Sequence, residues 1–213
     1  LLSCAMLVPS SLNAALIASL EMNGSNGSTS FVDTFGGTWT AFGTAQISTA
    51  RGVSGGASAL FMGDNSFVRN ADPSALHPTW PFTIEFWLYV DSLPSGVHQY
   101  LVGRSNPDAG QGYDLRLDYG EILVSGVNGW AFNIGTPGPG GADYVQAGQW
   151  GHVALSVTDT TAYLFFNGVL QGTSARSSIS DGGNPFALGY QSNFGGASFQ
   201  GYLDDFRFWD TAL

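Results

Sequence analysis

Large apolar side chains recur at every second position through FTIEFWLYV, where Phe82, Ile84, Phe86, Leu88 and Val90 fall on one side and Thr83, Glu85, Trp87 and Tyr89 on the other. Side chains alternate across an extended chain, so this period predicts a β-strand. Both of its sides carry bulk, which places it in the middle of a sheet with both faces partly covered. The same alternation recurs in QWGHVALSVTD, where Val153, Leu155 and Val157 interleave with His152, Ala154 and Ser156. Further apolar runs are separated by pairs that favour tight turns, Tyr119-Gly120, Asn128-Gly129 and Asn167-Gly168, so consecutive hairpins are predicted. Gly63 to Ser66 predicts another tight turn, leading into FVRN. Pro73, Pro78 and Pro81 cannot donate to a sheet ladder and mark a surface loop before the central strand. No helical period and no fixed-length repeat is visible. About a dozen short strands with hairpin and longer connections predict a two-sheet antiparallel jelly-roll sandwich, an all-β fold.

The chain closes on FQGYLDDFRFWDTAL, residues 199–213. Strict alternation puts Tyr202, Asp204, Phe206 and Phe208 on one face and Leu203, Asp205, Arg207 and Trp209 on the other. Asp205 then has Arg207 as its same-face neighbour, whereas Asp204 stands among aromatics with no partner nearby in sequence. A buried carboxylate is costly unless backbone donors, a cation or a metal compensate it.

Composition agrees with this pattern and narrows the partners. Thirty of 213 residues are glycine, charged residues make up 10%, and the formal net charge is −10. All six basic residues are arginines. A chain this acidic has no electrostatic footprint for phosphate backbones, which excludes nucleic acid as a partner. Cys4 is the single cysteine and cannot form an internal disulfide, so the chain does not read as a eukaryotic disulfide-stapled ectodomain, while a bacterial surface or a viral particle stays open. Residues 1–14 predict an apolar arm that ties the chain into a larger assembly, followed by one domain over 15–213. The apolar stretches of the arm are too short to span a membrane. Asn23 and Asn26 each head an N-x-[ST] sequon, which reads here as turn chemistry.

Four stretches, LEMNGSNGSTSFVD with GGASALFMG, FTIEFWLYV, WGHVALSVTDTTAYLFFNGVLQG and FALGYQSNFGGASFQGYLDDFRFWDTAL, resemble in content and order the laminin G-like and pentraxin-like branch of the concanavalin A-like lectin/glucanase superfamily. The first block looks most like domains of tailed-phage structural proteins and bacterial surface proteins. The resemblance implies the jelly-roll fold and a calcium ion whose aspartate ligand maps onto Asp204, with backbone carbonyls around Glu21 and Gly56 completing the shell. Hard oxygen donors of this kind suit calcium. The alternative for Asp204 is that it accepts backbone or Trp donors and ties the last strand to the first.

Hydrolysis of glycans needs two carboxylates flanking the glycosidic bond. The superfamily's E-x-D-x-x-E motif is approached only by RLDYGE, where Arg116 replaces the first glutamate, so the chain is expected not to be an enzyme. For glycan contact, Arg104, Arg116, Asn128 and Trp130 supply bidentate donors, an amide and an aromatic platform. The three histidines, His77, His98 and His152, are scattered without metal-ligand spacing, and His152 is expected to hydrogen-bond within its sheet. Together these features predict a structural and adhesion module at a virion or cell surface that contacts a glycan or a neighbouring protein subunit. The alternatives are a free-standing calcium-dependent lectin and, third, a glycan-active enzyme.

Overall fold

The computed structural model describes residues 14–72, 74, 76, 81–94, 98–106, 111–126, 133–135, 145–175, 184–189 and 197–213. In chain order the strands are β1 (Leu16–Leu20), β2 (Ser30–Val32), β3 (Thr38–Phe42), β4 (Gln46–Ser48), β5 (Ser58–Met62), β6 (Phe67–Asn70), β7 (Phe82–Tyr89), β8 (Gln99–Asn106) and β9 (Gln111–Asp118). They continue as β10 (Glu121–Gly126), β11 (Asn133–Gly135), β12 (Trp150–Val157), β13 (Thr161–Phe166), β14 (Val169–Ala175), β15 (Ala187–Leu188), β16 (Ala197–Ser198) and β17 (Gln200–Trp209). One sheet runs β14-β13-β12-β7-β17-β5-β4 with β1 also paired to β17, and the other runs β11-β10-β9-β8-β15-β6-β3-β2 with β16 beside β8. All pairs are antiparallel except β16 with β8. The strands beyond a dozen are two- and three-residue segments such as β15, β16 and β4, too short to leave a period in the sequence.

The hairpin turns read from the sequence are realised where they are described. Tyr119 and Gly120 have φ of 49° and 99°, and Asn167 and Gly168 have 50° and 77°, which are the paired left-handed residues of a two-residue hairpin. The Asn128-Gly129 pair and the segment 1–13 lie outside the described residues. Gly63 to Asn65 bends the chain, with Gly63 and Asn65 at φ of 73° and 62°, but β5 and β6 belong to different sheets, so the stretch is a crossing between layers in place of the predicted tight turn.

As expected, β7 sits inside its sheet, between β12 and β17. Its inward residues Phe82, Ile84, Phe86 and Leu88 are fully buried. The inward phenylalanines of β17 join the layers: Phe206 lies 5.9 Å from Trp39 of the opposite sheet and 5.5 Å from Phe186, and Phe208, stacked on Phe82 of its own sheet at 5.5 Å, meets Phe186 edge-on at 5.9 Å. Burying a side chain of this size stabilises the fold by about 2–3 kcal/mol. Next to the β1–β17 pairing, Ala15 N donates to Asp210 Oδ1 at 2.8 Å and Asp210 N to the Ala15 carbonyl at 3.0 Å.

Strict alternation fails in β17. Asp204 lies opposite Trp87 while Arg207 lies opposite Glu85, so three steps on β17 span two on β7. The extra residue is a β-bulge at Asp205, whose φ is 48°. The bulge reverses the facing of everything after it. Tyr202 and Asp204 face away from the core, Leu203, Phe206 and Phe208 face into it, and Arg207 and Trp209 face outward again opposite Glu85 and Thr83. The expectation that Asp204 shares a face with Phe206 and Phe208 is therefore overturned.

Candidate functional site

Asp204 is nevertheless wholly buried, because the connection between β4 and β5 folds over it. Val53 N and Ser54 N of this connection donate to Asp204 Oδ2 at 2.8 and 3.4 Å, and Asp205 N donates to Oδ1 at 2.9 Å. The connection keeps its shape through Ser58 Oγ, which donates to the Arg51 carbonyl at 2.9 Å, and through Gly52, where a Cβ would stand 2.5 Å from Ala57 N and 2.7 Å from Ala57 O. Gly55 and Gly56 follow each other at φ of 66° and 77°, a backbone that residues with a side chain rarely adopt.

Among the described residues no group of three or more His, Cys, Asp or Glu side chains is placed to hold a metal ion, but Glu21 and Gly56 lie on segments that border Asp204. Leu20 pairs with Phe206, so Glu21 follows directly at the bulge, and its charge is one of those acting on Asp205. Gly56 ends the connection that covers Asp204, and Gly55 packs against the Asn23 side chain. Burial pushes the Asp204 carboxyl up to about 6, the Val53 and Ser54 amides pull it down, and neighbouring Asp205 adds to the rise. Asp205 is also raised, by burial first, with Arg207 opposing and Glu21 and Glu85 adding to the rise. Arg207 Nη2 stands 3.8 Å from Asp205 Oδ2, as the sequence pattern suggests. Glu21, Asp204 and Asp205 thus form a local excess of negative charge.

Beside this cluster, the outward face of the first sheet carries a network that the sequence reading did not assemble. Glu85 Oε1 accepts from Trp209 Nε1 at 3.0 Å and faces Arg207 Nη1 at 3.7 Å, while Glu85 Oε2 lies 3.3 Å from His152 Nε2. Trp87 packs on the His152 ring at 5.1 Å, and Tyr89 contacts Trp150 at 5.4 Å and Tyr202 at 5.8 Å. Alternation in β7 had put Glu85, Trp87 and Tyr89 on one side. Their partners come from β12 and β17, whose register against β7 no local pattern encodes. The His152 contact holds the Glu85 carboxyl below its usual range against the effect of burial, with Trp209 and Arg207 adding to the lowering. A depressed carboxyl stabilises the fold above its unfolded pKa, and that share is lost as pH falls through the lower folded value. Glu85→Gln is accordingly expected to lower the melting temperature at pH 7 by about 2–4 °C, from roughly 1 kcal/mol, and to flatten the acid limb of stability below about pH 4.5. Thermal melts of both proteins from pH 3 to 7 check this.

Of the four residues predicted to contact glycan, the two that are described do not share an exposed surface. Asn128 and Trp130 lie outside the described residues. Arg116 is half-buried opposite Tyr100. A second bulge between Tyr100 and Val102 then shifts the register, so that Arg104 pairs with Tyr113. Tyr113 belongs to the core and its ring lies 5.8 Å from that of Phe82. Arg104 shares that inward side and is fully buried, which removes it from an exposed sugar-binding face. Of the histidines, His152 makes the within-sheet contact expected of it, and His98 Nδ1 stands 3.1 Å from Asp118 Oδ2. His77 lies outside the described residues.

Comparison with solved structures finds the same architecture in several settings. Domain 4 of AbnA, a GH43 extracellular arabinanase from Geobacillus stearothermophilus solved with arabinotriose, is 21% identical with a TM-score of 0.70, over 94% of this chain and 94% of that one. The binding domain of Paraclostridial Mosquitocidal Protein 1 is 19% identical with a TM-score of 0.72, over 93% of this chain and 49% of that one. The sialidase of Trypanosoma rangeli in complex with sialic acid is 14% identical with a TM-score of 0.64, and this chain spans 31% of its length. At such identities the likeness is one of fold. No curated protein matches the sequence. The family model Laminin G 3, described as the concanavalin A-like lectin/glucanases superfamily, matches residues 62–213, the segment that carries β7, the Glu85 network and the whole of β17. By this match and by its two-sheet sandwich, the chain belongs to the concanavalin A-like lectin/glucanase superfamily.

Proposed function

We propose that this chain is a non-enzymatic binding module, a structural and adhesion subunit of a virion or bacterial surface whose sandwich contacts a glycan or a neighbouring protein. The observation that carries this reading is the outward face of the first sheet. There Trp87, Trp150 and Trp209 are half-exposed beside Arg207 and His152, a mixture of flat apolar surface and hydrogen-bonding groups that suits sugar rings. The most prominent carboxylate of that face is already committed. Both Glu85 oxygens hold partners and its carboxyl is depressed, opposite to what a general acid in glycoside cleavage requires. That solved likenesses include domains of an arabinanase and a sialidase fits an accessory role as well as a catalytic one, since this chain spans under a third of the sialidase. The test is a glycan array on the purified chain followed by reducing-end assays on every ligand found. Binding without turnover is expected, and release of reducing ends would overturn the non-enzymatic reading.

Calcium is part of the same proposal. A hard divalent cation suits these donors: Asp204 Oδ1 accepts one hydrogen bond among the described residues and keeps acceptor capacity, and the negative charges of Asp205 and Glu21 lie beside it with Arg207 the opposing cation. Asp204 would be the carboxylate ligand, with the Glu21 and Gly56 carbonyls beside it. When bound, the ion supplies positive charge that fastens the β4–β5 connection to β17. A free-standing calcium-dependent lectin is the second reading, favoured by the same cluster.

A further inference from the structure

Where β17 begins, a groove of about 340 Å³ opens on the outward side of the first sheet, lined by Leu60, Met62, Asp91, Ser92, Gln200 and Tyr202. It lies at the far end of β17 from the Ala15–Asp210 pair, ten strand residues or roughly 30 Å away. Two of its lining residues, Asp91 and Tyr202, hold the Arg51 side chain beside it. The Arg51 guanidinium lies 4.3 Å over the Tyr89 ring and 5.6 Å from that of Tyr202, and its Nη2 stands 2.6 Å from Asp91 Oδ1. The cation is thereby stacked and paired at once, which restricts a side chain that would otherwise be mobile.

Three groups that line the groove have capacity left. Asp91 is 62% exposed at its side chain, and its Oδ2 has no hydrogen-bond partner among the described residues. Gln200 is exposed, its backbone N donates to Gln99 Oε1, and its side-chain amide has no partner among the described residues. Met62 exposes 45% of its surface next to the nearly buried Tyr202 ring. A carboxylate oxygen, an amide with two donors and an acceptor, and a soft apolar wall are what a pyranose or furanose presents partners for: hydroxyls on its rim and C–H groups on its face.

We infer that this groove is a subsite for one or two rings of a neutral glycan. The assignment rests on the glycan-contact reading above and names its place and its ligand class. The size agrees, since the volume is at the low end of the roughly 300–1,000 Å³ typical of ligand sites. Neutrality follows from charge. Asp91 already balances Arg51, and a chain with a formal charge of −10 repels anionic sugars.

The probes are arabinotriose, maltotriose, lactose and 3′-sialyllactose, titrated calorimetrically into the full chain and into Asp91→Asn, Gln200→Ala and Met62→Ala. Asp91 and Gln200 are surface residues, so melting temperatures within a few degrees of the parent certify folding. At least one neutral sugar is expected to bind, with Kd raised about tenfold or more by Asp91→Asn, the size of a lost charge-assisted hydrogen bond, and by a smaller factor in the other two variants. Binding with an unchanged Kd in both Asp91→Asn and Gln200→Ala would remove the groove assignment and leave the glycan reading standing. Preference for 3′-sialyllactose would overturn neutrality, and no binding across the panel would remove the groove assignment, while the glycan array decides the reading it rests on.

Discussion

Gly52→Ala is expected to lower the melting temperature by about 10 °C, from roughly 3 kcal/mol of overpacking and lost hydrogen bonds, although the change adds one methyl at a half-exposed position. The reason is what the methyl meets. Its nearest neighbours are Ala57 N at 2.5 Å, Ala57 O at 2.7 Å and Gly56 C at 2.8 Å, all of them backbone, so no rotamer can give way. The β4–β5 connection must open at its neck, and with it go the Val53 and Ser54 donors that cover Asp204. Gly56→Ala is the informative contrast. Its Cβ meets nothing within 4 Å, so it carries only the strain of a left-handed φ of 77°, about 1 kcal/mol. Scanning calorimetry of the two variants should separate them by several degrees. Equal melting temperatures would mean that the connection is not clamped at Gly52.

The second large effect is the dependence of stability on calcium and pH through Asp204. Burial raises its carboxyl to about 6 from an ordinary 3.8. Between about pH 4 and 6 the folded chain holds a proton that the unfolded chain releases, so stability in EGTA is highest at the acid side of this window, falls as pH rises through it and levels off above about 6. Raised Asp205 acts in the same direction. Calcium takes the ionised form, so its benefit should appear above pH 6 and vanish below it. At a free concentration a thousand times its Kd the gain is about 4 kcal/mol, or roughly 8–16 °C for a domain of this size. Asp204→Ala should abolish the calcium response altogether. In EGTA at pH 7 the same variant is expected to move the melting temperature far less, because losing the acceptor of three backbone N–H groups is offset by removing a buried charge beside Asp205. A wild-type chain whose melting is identical in calcium and EGTA at pH 7.5 would leave Asp204 as a hydrogen-bonded anchor of the connection and nothing more.

The sign of this pH profile is itself a discriminator. The Glu85 network stabilises as pH rises and the Asp204 cluster destabilises, within overlapping ranges and on one face of one sheet. Single variants at each site isolate the two limbs.

Local chemistry made much of this molecule legible in advance. Alternation in 82–90 and 150–157 defined β7 and β12, Tyr119-Gly120 and Asn167-Gly168 defined the β9–β10 and β13–β14 turns, and the apolar closing segment defined β17. Each of these depends on residues within a few positions of one another, through side-chain period or backbone sterics. That Asp204 needs a partner distant in sequence was legible for the same reason, since nothing beside it in the chain could compensate its charge.

Tertiary structure alone decided which way the functional side chains point and what covers them. A one-residue bulge at Asp205 turns Asp204 away from the core, and another after Tyr100 turns Arg104 into it. Period-2 reasoning assumes that every residue has a partner across the ladder, and a single unpaired residue inverts all that follows without altering composition or hydrophobic count. The lid over Asp204, the Glu85–His152–Trp209 network and the Arg51–Asp91 groove each join segments 40 to 151 residues apart. Their geometry comes from the pairing order of the strands, β12-β7-β17-β5, which is a property of the folded sheet and of no stretch of the chain by itself.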